Sequence, residues 1–424
     1  MTPNDSYLAI DAVWRIESAK LVAALTRMTQ DVGLAEDFAQ EALVAALQQW
    51  PDSGIPPKPG AWLMATAKHR AVDYFRRGQM LERKHQELGQ KREESESTVP
   101  DFESAMDDYI EDDVLRLIFI ACHPVLSIDS QAALTLRLLC GLTTEEIARA
   151  FLAGEATIAQ RIVRAKKTLS DSKVPFEVPR GPEFATRLNS VLQVIYLIFN
   201  EGYTATSGPN LTRDALCEEA LRLGRVLATL APEEPEVFGL VSLMEIHSSR
   251  RAARVNEAGE PILLLEQDRT KWDDLLIQRG FAALKRAKEL GGTAGFYQLQ
   301  AEIASCHARA RTGTETDWAR IADFYATLAA VMPSPVVQLN RAVAISMASG
   351  PGAGLKLIDQ LALRTALQNY HLLPSVRGDL LEKLGRHAEA ADEFERAATL
   401  TSNIRESQFL LNRAAICQQL SKNL

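Results

Sequence analysis

Residues 141–169, GLTTEEIARAFLAGEATIAQRIVRAKKTL, predict two short helices separated by a tight break. Thr143 and Glu146 have the spacing of a capping box, in which each side chain bonds the other residue's backbone N–H, so a helix should begin there. Ile147 and Phe151 supply its apolar face, and Gly154 marks the break. The second helix then repeats apolar residues at helical spacing, at Ile158, Ile162, Ala165 and Leu169.

The opposite face of that second helix favours DNA contact. Long hydrogen-bonding and cationic side chains on a helix suit the edges of bases and the phosphates beside a major groove. The residues on this face are Thr157, Gln160, Arg161, Arg164 and Lys167. The pattern predicts a helix-turn-helix, and an amphipathic helix pair with a basic solvent face is the alternative.

Composition indicates an ordinary globular protein of two to four domains. The chain has 424 residues, of which 46% are hydrophobic and 24% charged. No apolar run is long enough to span a membrane, and the N-terminus has no export-signal pattern, so we expect a cytoplasmic protein with no membrane partner. The five scattered cysteines form no C-x-x-C pair, which argues against a zinc site and against a disulfide framework.

The net charge of −8 does not exclude nucleic acid, because the basic residues are clustered. They concentrate in residues 68–84 and 161–167, whereas residues 93–113 hold ten acidic residues and no basic one. Local basic patches set the affinity for phosphates, while the total charge mainly affects solubility and indiscriminate binding.

Helical periodicity predicts an all-α protein in several parts. A first unit, residues 7–78, has helices around 7–28, 35–50 and 60–77, with a Pro/Gly-rich loop at 51–60. An acidic, flexible linker at 79–110 leads to a second unit at 111–172 that ends with the helix-turn-helix. Residues 183–424 are rich in Ala and Leu. Within them 339–361 weakly resembles 375–400, which predicts stacked helical hairpins of the tetratricopeptide type.

A second candidate DNA surface lies in residues 61–77, AWLMATAKHRAVDYFRR. Cations interleaved with aromatic rings suit single-stranded nucleic acid, since the charges follow phosphates and the rings accept unstacked bases. The candidate residues are Trp62, Lys68, His69, Arg70, Asp73, Arg76 and Arg77. The alternative is that the arginines are merely solvated, and for Trp62, Tyr74 and Phe75 a core position is the favoured interpretation.

The preceding helix, AEDFAQEALVAALQQW, carries a candidate protein-docking face. Phe38, Ala42 and Ala45 form its packing stripe. A polar stripe with one apolar member, formed by Asp37, Gln40, Glu41 and Val44, suits a partner helix, and an ordinary solvated face is the competing interpretation.

These segments, in this order, resemble a bacterial extracytoplasmic-function (ECF) sigma factor over residues 7–172. The resemblance implies that Asp37, Gln40, Glu41 and Val44 bind the clamp helices of the β′ subunit of core RNA polymerase. It implies that residues 62–77 melt and recognise the −10 element of promoter DNA, and that residues 141–169 recognise the −35 element near the polymerase β flap. His69 stands where Asn is common in the family, and Ala159 where Arg or Lys is frequent, which leaves the bases recognised there open.

The C-terminal half resembles the long tetratricopeptide-like extension of one ECF subgroup, on residues 196–208, 232–255 and 317–328. The resemblance implies a regulatory extension that contacts the sigma domains or a regulatory protein. Deleting residues 183–424 should therefore change transcription strongly. A helix-turn-helix regulator with a helical sensor domain, which does not replace sigma, is the alternative. Because no catalytic set of residues is found, no cofactor and no enzymatic activity are predicted, and an enzyme in this half is the disfavoured alternative.

Two motifs of this half have local interpretations. Asn200, Gly202 and Tyr203 are expected to end a helix, with glycine in the left-handed conformation and the tyrosine ring packing back. Contact of this segment with the sigma domains or with a ligand is the alternative. Glu245 and His247 are expected to form a surface pair, which is favoured over a metal or anion site involving the neighbouring arginines 250, 251 and 254. No catalytic set of residues and no metal site is predicted.

Overall fold

The protein divides into two compact helical units. In this computed structural model the described residues are 3–88, 110–151, 153–204, 207–208, 212–256, 260–362, 367 and 370–422. The first unit comprises Met1–Ile195 and the second Tyr196–Leu424. Helices form nearly all of the described elements, so the predicted all-α class is confirmed.

The first unit holds two groups of helices. The first group is α1 (Pro3–Thr29), α2 (Val32–Ser53) and α3 (Pro59–Leu88). The second group is α4 (Ile110–Ala121), α5 (Ile128–Leu139), α6 (Thr144–Phe151) and α7 (Glu155–Asp171), followed by the start of α8 (Pro182–Tyr203). Helix α1 packs against α2 and α3 and also against α4 and α5, so the two groups share a core.

The loop predicted at residues 51–60 begins later than expected. Helix α2 continues through Pro51 to Ser53, and that boundary of the prediction is wrong. A proline in the last turn removes only one backbone hydrogen bond. Gly54 then closes the helix end, donating its N–H to the Trp50 carbonyl at 2.9 Å with a φ of 83°.

Two further boundaries differ from the sequence interpretation. Helix α3 runs to Leu88, into the segment predicted as a linker, and the rest of that segment, 89–109, lies outside the described residues. Helix α8 begins in the first unit, where the Phe184 ring lies 5.5 Å from that of Phe119 and Arg187 donates to the Phe119 carbonyl at 2.8 Å. The division between the units therefore falls inside α8.

The second unit is a succession of helices that pack mainly on their neighbours. They are the rest of α8, α9 (Asp214–Leu230), α10 (Pro235–Ser249), α11 (Asp274–Glu289), α12 (Phe296–Arg309), α13 (Trp318–Val331), α14 (Pro335–Ser349), α15 (Pro351–Ala362), α16 (Leu372–Lys383), α17 (His387–Leu400) and α18 (Ile404–Lys422). Two-residue strands β1 (Ser207–Gly208) and β2 (Ser402–Asn403) pair in parallel.

The predicted repeat is a pair of helical hairpins. Helices α14 and α15 form one hairpin and α16 and α17 the other. Each turn has a glycine in the left-handed region, Gly350 with a φ of 95° and Gly385 with a φ of 76°, where other residues are strained. Leu339 and Phe394, from the two copies, are buried in one shared core. The prediction of stacked hairpins is confirmed.

The predicted glycine cap at the end of α8 is wrong. Gly202 is helical, and its φ is not in the left-handed region. A Cβ there would lie 2.6 Å from the backbone nitrogen of Cys217, so glycine is required by the close approach of α9. The Tyr203 ring does pack back as expected, stacked on Phe199 at 5.7 Å.

Candidate nucleic-acid and partner interfaces

The helix-turn-helix forms as its sequence predicts. Thr143 donates its backbone N–H to Glu146 Oε2 at 2.8 Å, and Glu146 donates its own to Thr143 Oγ1 at 3.1 Å. Burial favours the neutral carboxyl of Glu146, but the bonds from Thr143 and the charge of Arg15 outweigh it and lower its pKa. The apolar stripe predicted for α7 is its buried set, Ile158, Ile162, Ala165 and Leu169. Phe151, expected with Ile147 on the buried face of α6, is only half-buried.

The outer face of α7 presents the predicted DNA-contacting side chains. Thr157, Gln160, Arg164 and Lys167 are exposed. Arg161 is half-buried, and its guanidinium lies 3.6 Å from the carboxylate of Asp129 on α5. A surface ion pair of this kind is weak, so phosphate can compete with Asp129 for Arg161.

The predicted cations of α3 lie along its solvent side. His69, Arg70, Asp73, Arg76 and Arg77 are exposed, while Trp62 and Lys68 are half-buried. Burial, and secondarily the charge of Arg27, lowers the pKa of Lys68. Both effects disfavour the charged form of its ammonium group.

The aromatic rings of this surface do not all lie in the core. Trp62 packs edge-on against Trp50, with ring centroids 5.2 Å apart, and is half-buried like Phe75. Tyr74 is 50% exposed, so the core position favoured for it is wrong. Its ring leans on Phe38 at 5.7 Å and leaves one side open to solvent. Trp50, which supports Trp62, was not among the sequence candidates.

The docking face of α2 is accessible. Side chains of Asp37 and Glu41 are exposed, Val44 is 51% exposed, and Gln40 is half-buried. Glu41 lies 3.6 Å from Arg70 on α3, and both groups remain about half exposed. The face therefore combines two solvated carboxylates with one apolar side chain, a composition suited to a polar, partly basic partner surface.

A buried carboxylate joins the two helix groups of this unit, and no sequence pattern predicts it. Glu36, beside the docking face, is only 4% exposed. It accepts from Arg137 of α5 at 2.5 Å and lies 2.6 Å from the ammonium of Lys166 on α7. Lys166 also lies 3.9 Å from Asp37. The side of α7 that carries Lys166 thus rests on α2.

Further polar contacts join the same two helix groups. Arg15 of α1 pairs with Glu146 at 2.8 Å, and Ser170 donates to Asp31 at 3.0 Å. Gly141, with a φ of 68°, lies so close to α1 that a Cβ would meet the Ser18 hydroxyl at 2.8 Å. The helix-turn-helix is therefore seated on the first helix group through charge pairs and close backbone approach.

Two classes of site are not found within the described part of the chain. None of its helices is long and apolar enough to cross a membrane. None of its His, Cys, Asp and Glu side chains gather in threes or more in a way that could hold a metal ion.

Three family models match the chain in sequence. Residues 16–80 match sigma-70 region 2, and residues 116–169 match sigma-70 region 4. Residues 187–288 match a family of unknown function, DUF6596. The first two matches coincide with the two helix groups described above, and the third covers most of α8 through nearly all of α11.

Of two proteins similar to this chain in sequence, one matches nearly its full length and the other only part of it. An uncharacterized protein of Rhizobium meliloti is 41% identical over 394 residues, which cover 92% of this chain and 91% of that protein. A probable ECF RNA polymerase sigma factor, SigI, of Mycobacterium tuberculosis is 25% identical over 169 residues, covering 40% of this chain and 57% of that protein. No solved structure matches the chain.

Proposed function

Because the chain belongs to the ECF group of sigma-70-family sigma factors and carries a helical C-terminal extension, we propose that it binds core RNA polymerase and directs promoter-specific initiation of transcription. The observation that carries the proposal is the order of two matched modules, region 2 and then region 4, each with its contact face exposed. This role places the protein in the cytoplasm and requires no catalytic residue of its own.

In this proposal α2 docks on the β′ clamp helices of polymerase. Asp37, Glu41 and Val44 supply the contact, with Gln40 at its edge. Their exposure supports the assignment, since a docking face must be available before the partner arrives. Rim charges of this kind mainly increase the rate and specificity of association.

Promoter recognition is assigned to α3 and α7. On α3 the exposed cations at positions 70, 76 and 77 follow the phosphates of the −10 element, while Trp62 and His69 lie beside the strand-opening site. Unstacking a base costs a few kcal/mol, which contacts to the extruded base must offset. On α7 Gln160 and Arg164 contact base edges of the −35 element, and Lys167 contacts phosphate.

The packed arrangement of the two modules cannot span a promoter. Elements named −35 and −10 lie about 25 base pairs apart, roughly 85 Å along the duplex at 3.4 Å per step. Helices α2 and α7 touch through Glu36 and Lys166, so the modules must separate before both elements are engaged. We therefore assign the described arrangement to the closed, unbound state of the sigma factor.

Opening should become easier when the buried charge contact is removed. In Glu36→Gln and Arg137→Gln variants we expect the ratio of closed to open molecules to fall about tenfold or more, because a hydrogen bond to a charged group contributes roughly 1.5–3 kcal/mol. Energy transfer between dyes on Gln49→Cys and Val163→Cys measures the separation, and the native cysteines are buried. Glu155→Gln, an exposed position outside the contact, is the matched control. Unchanged transfer in both charge variants would show that these pairs do not hold the modules together.

We further propose that the second unit modulates this activity. Support comes from its size, its separate hydrophobic core and the continuity of α8, whose first half packs on Phe119 while its second half belongs to the second unit. Because α8 belongs partly to the first unit, a truncation at residue 183 would also remove Phe184 and Arg187 from the packing of α4. Point variants in the full chain are therefore the cleaner test.

A further inference from the structure

A basic and aromatic cluster lies within the second unit, where the ends of several elements meet. Its members are Tyr203 in the last turn of α8, His247 and Arg250 at the end of α10, Arg254 after the following 3₁₀ turn, and Arg269 and Trp272 in the turns before α11. We call these six residues the basic–aromatic cluster. All lie within residues 187–288, the region that matches the family of unknown function.

The cluster is closely packed. The Arg254 guanidinium carbon lies 3.6 Å from the centroid of the Tyr203 ring, and that ring meets the His247 ring edge-on at 5.0 Å. Arg250 and Arg269 both lie over the Trp272 ring, at 5.4 and 4.9 Å. Guanidiniums are held over aromatic faces by the ring quadrupole, which places them without neutralising their charge.

The positive charge of the cluster is compensated only in part within the described chain, by Glu315 near Arg269. None of its three guanidiniums forms an ion pair with a described carboxylate. Nearby acids are engaged elsewhere: Glu245 pairs with Arg225 at 2.8 Å and Glu218 with Arg251 at 3.1 Å. The surface pair expected between Glu245 and His247 is therefore wrong, and Glu245 is itself buried.

The pKa values of the cluster residues also indicate that positive charge is concentrated there. Burial lowers the pKa of Arg250; Tyr203 partly opposes this effect, and the charge of Arg254 adds a smaller lowering. Burial and the charge of Arg250 lower the pKa of Arg269, which Glu315 partly offsets. Burial and neighbouring arginines also lower the pKa of His247, so its imidazole is neutral. Several cations thus share one desolvated region, which is costly without an anion.

The hydrogen bonds divide the arginines into two roles. Arg254 donates to the Tyr203 carbonyl and, at 3.0 Å, to Thr204 Oγ1. Arg269 donates to the carbonyls of His307 and Ala310, at 2.5 and 2.6 Å. These two guanidiniums therefore fix the local backbone. Arg250, by contrast, forms no side-chain hydrogen bond with the described residues.

Four buried polar atoms of the cluster have no hydrogen-bond partner among the described residues. Within the described chain these are Arg250 Nε, Tyr203 Oη, Trp272 Nε1 and His247 Nδ1. Buried polar atoms almost always have a partner, because an unpaired one costs about 1–3 kcal/mol. Here Arg250 Nε and Trp272 Nε1 are donors, so the missing partner is an acceptor, and the surrounding charge makes it an anion.

We propose that the basic–aromatic cluster binds the oxyanion group, a phosphate or a carboxylate, of a small metabolite. Arg250 is the principal ligand, Tyr203 and Trp272 add hydrogen bonds, and Arg254 and Arg269 supply fixed positive charge. The residues Tyr203, Arg250 and Arg269 are half-buried, so each side chain keeps some exposure to solvent. This site gives the second unit a ligand, and it does not depend on the proposed role in transcription.

The test is anion binding to the full chain. Isothermal titration with inorganic phosphate and, separately, with succinate is compared with sodium chloride at equal ionic strength. Saturable binding of either anion is expected, and the stronger of the two identifies the class of oxyanion. Arg250→Met should weaken anion binding by about tenfold to a hundredfold, because it removes the charge-assisted hydrogen bonds from one guanidinium. The matched control, Arg251→Met, changes the adjacent arginine that pairs with Glu218 and should bind as the unchanged chain does.

A stability measurement separates a ligand site from a structural one. Arg250→Met should raise the melting temperature of the anion-free protein, because it removes an uncompensated buried charge, and should abolish the further rise caused by the bound anion. The proposal is overturned if neither anion binds more tightly than chloride, if both methionine variants weaken binding equally, or if Arg250→Met lowers the melting temperature.

Discussion

Asp37→Lys combined with Glu41→Lys is expected to weaken binding to core RNA polymerase by about a hundredfold or more. Each change replaces an exposed carboxylate of α2 by an opposite charge. Losing one charge pair at an interface costs about 2–5 kcal/mol, and reversal adds repulsion. Both side chains are exposed, and their pairs with Lys166 and Arg70 are weak surface pairs, so the fold of the first unit should be retained. Fluorescence anisotropy of the labelled full chain titrated with core polymerase measures the effect.

The control must carry the same change of net charge away from the docking face. Asp52→Lys with Asp171→Lys meets this condition, since both side chains are exposed and lie outside the three contact surfaces. That variant should bind polymerase within about threefold of the unchanged chain, as expected when only long-range, salt-screened charge differs. Equal losses in both double variants would remove the assignment of α2 as the docking helix. Retained binding in the Asp37/Glu41 variant would favour a regulator that does not replace sigma.

Gln160→Ala with Arg164→Ala is expected to reduce promoter-specific transcription by about a hundredfold while leaving polymerase binding intact. Each good bidentate contact to a base contributes roughly 1–3 kcal/mol of discrimination, so two lost contacts are sufficient. Both side chains are exposed on α7, opposite the stripe that holds the helix in place. Run-off transcription from one cognate promoter, together with the polymerase titration above, measures the two activities separately.

Lys167→Ala is the matched variant on the same helix. It should weaken DNA binding about equally for all sequences and reduce the dependence on salt by about one phosphate contact. A loss of sequence preference in Lys167→Ala, with none in the Gln160/Arg164 variant, would contradict the division of roles on α7.

The parts of this architecture that the sequence predicts are those determined by local helical periodicity. The capping box at Thr143 and the apolar stripe of α7 involve residues within one or two helical turns, so their spacing alone specifies the structure. The exposed faces of α2 and α3 follow from the same spacing, once one stripe is assigned to the core. The hairpins of the second unit are predictable because their sequences repeat.

The contacts between residues far apart in sequence have no such local signal. Glu36 and Arg137 are 101 residues apart, and only tertiary packing brings them together. Gly202 was assigned a left-handed cap because glycine commonly ends helices, whereas its small size admits the backbone of α9. Glu245 was paired with His247 by proximity in sequence, although the fold turns it toward Arg225. For Gly202 and Glu245, the interpretation considered only neighbours in sequence, whereas the residue that each one contacts lies on another helix.

The measurement that tests the central claim most directly is transcription by core polymerase to which only this protein has been added, with start sites mapped across genomic DNA. The proposed function predicts discrete start sites whose upstream regions share two sequence elements, one near −10 and one near −35, and the loss of these starts with the Asp37→Lys/Glu41→Lys chain. Transcription that begins at random positions, or core polymerase that gains no activity while the protein is shown to be folded, would contradict the assignment as a sigma factor.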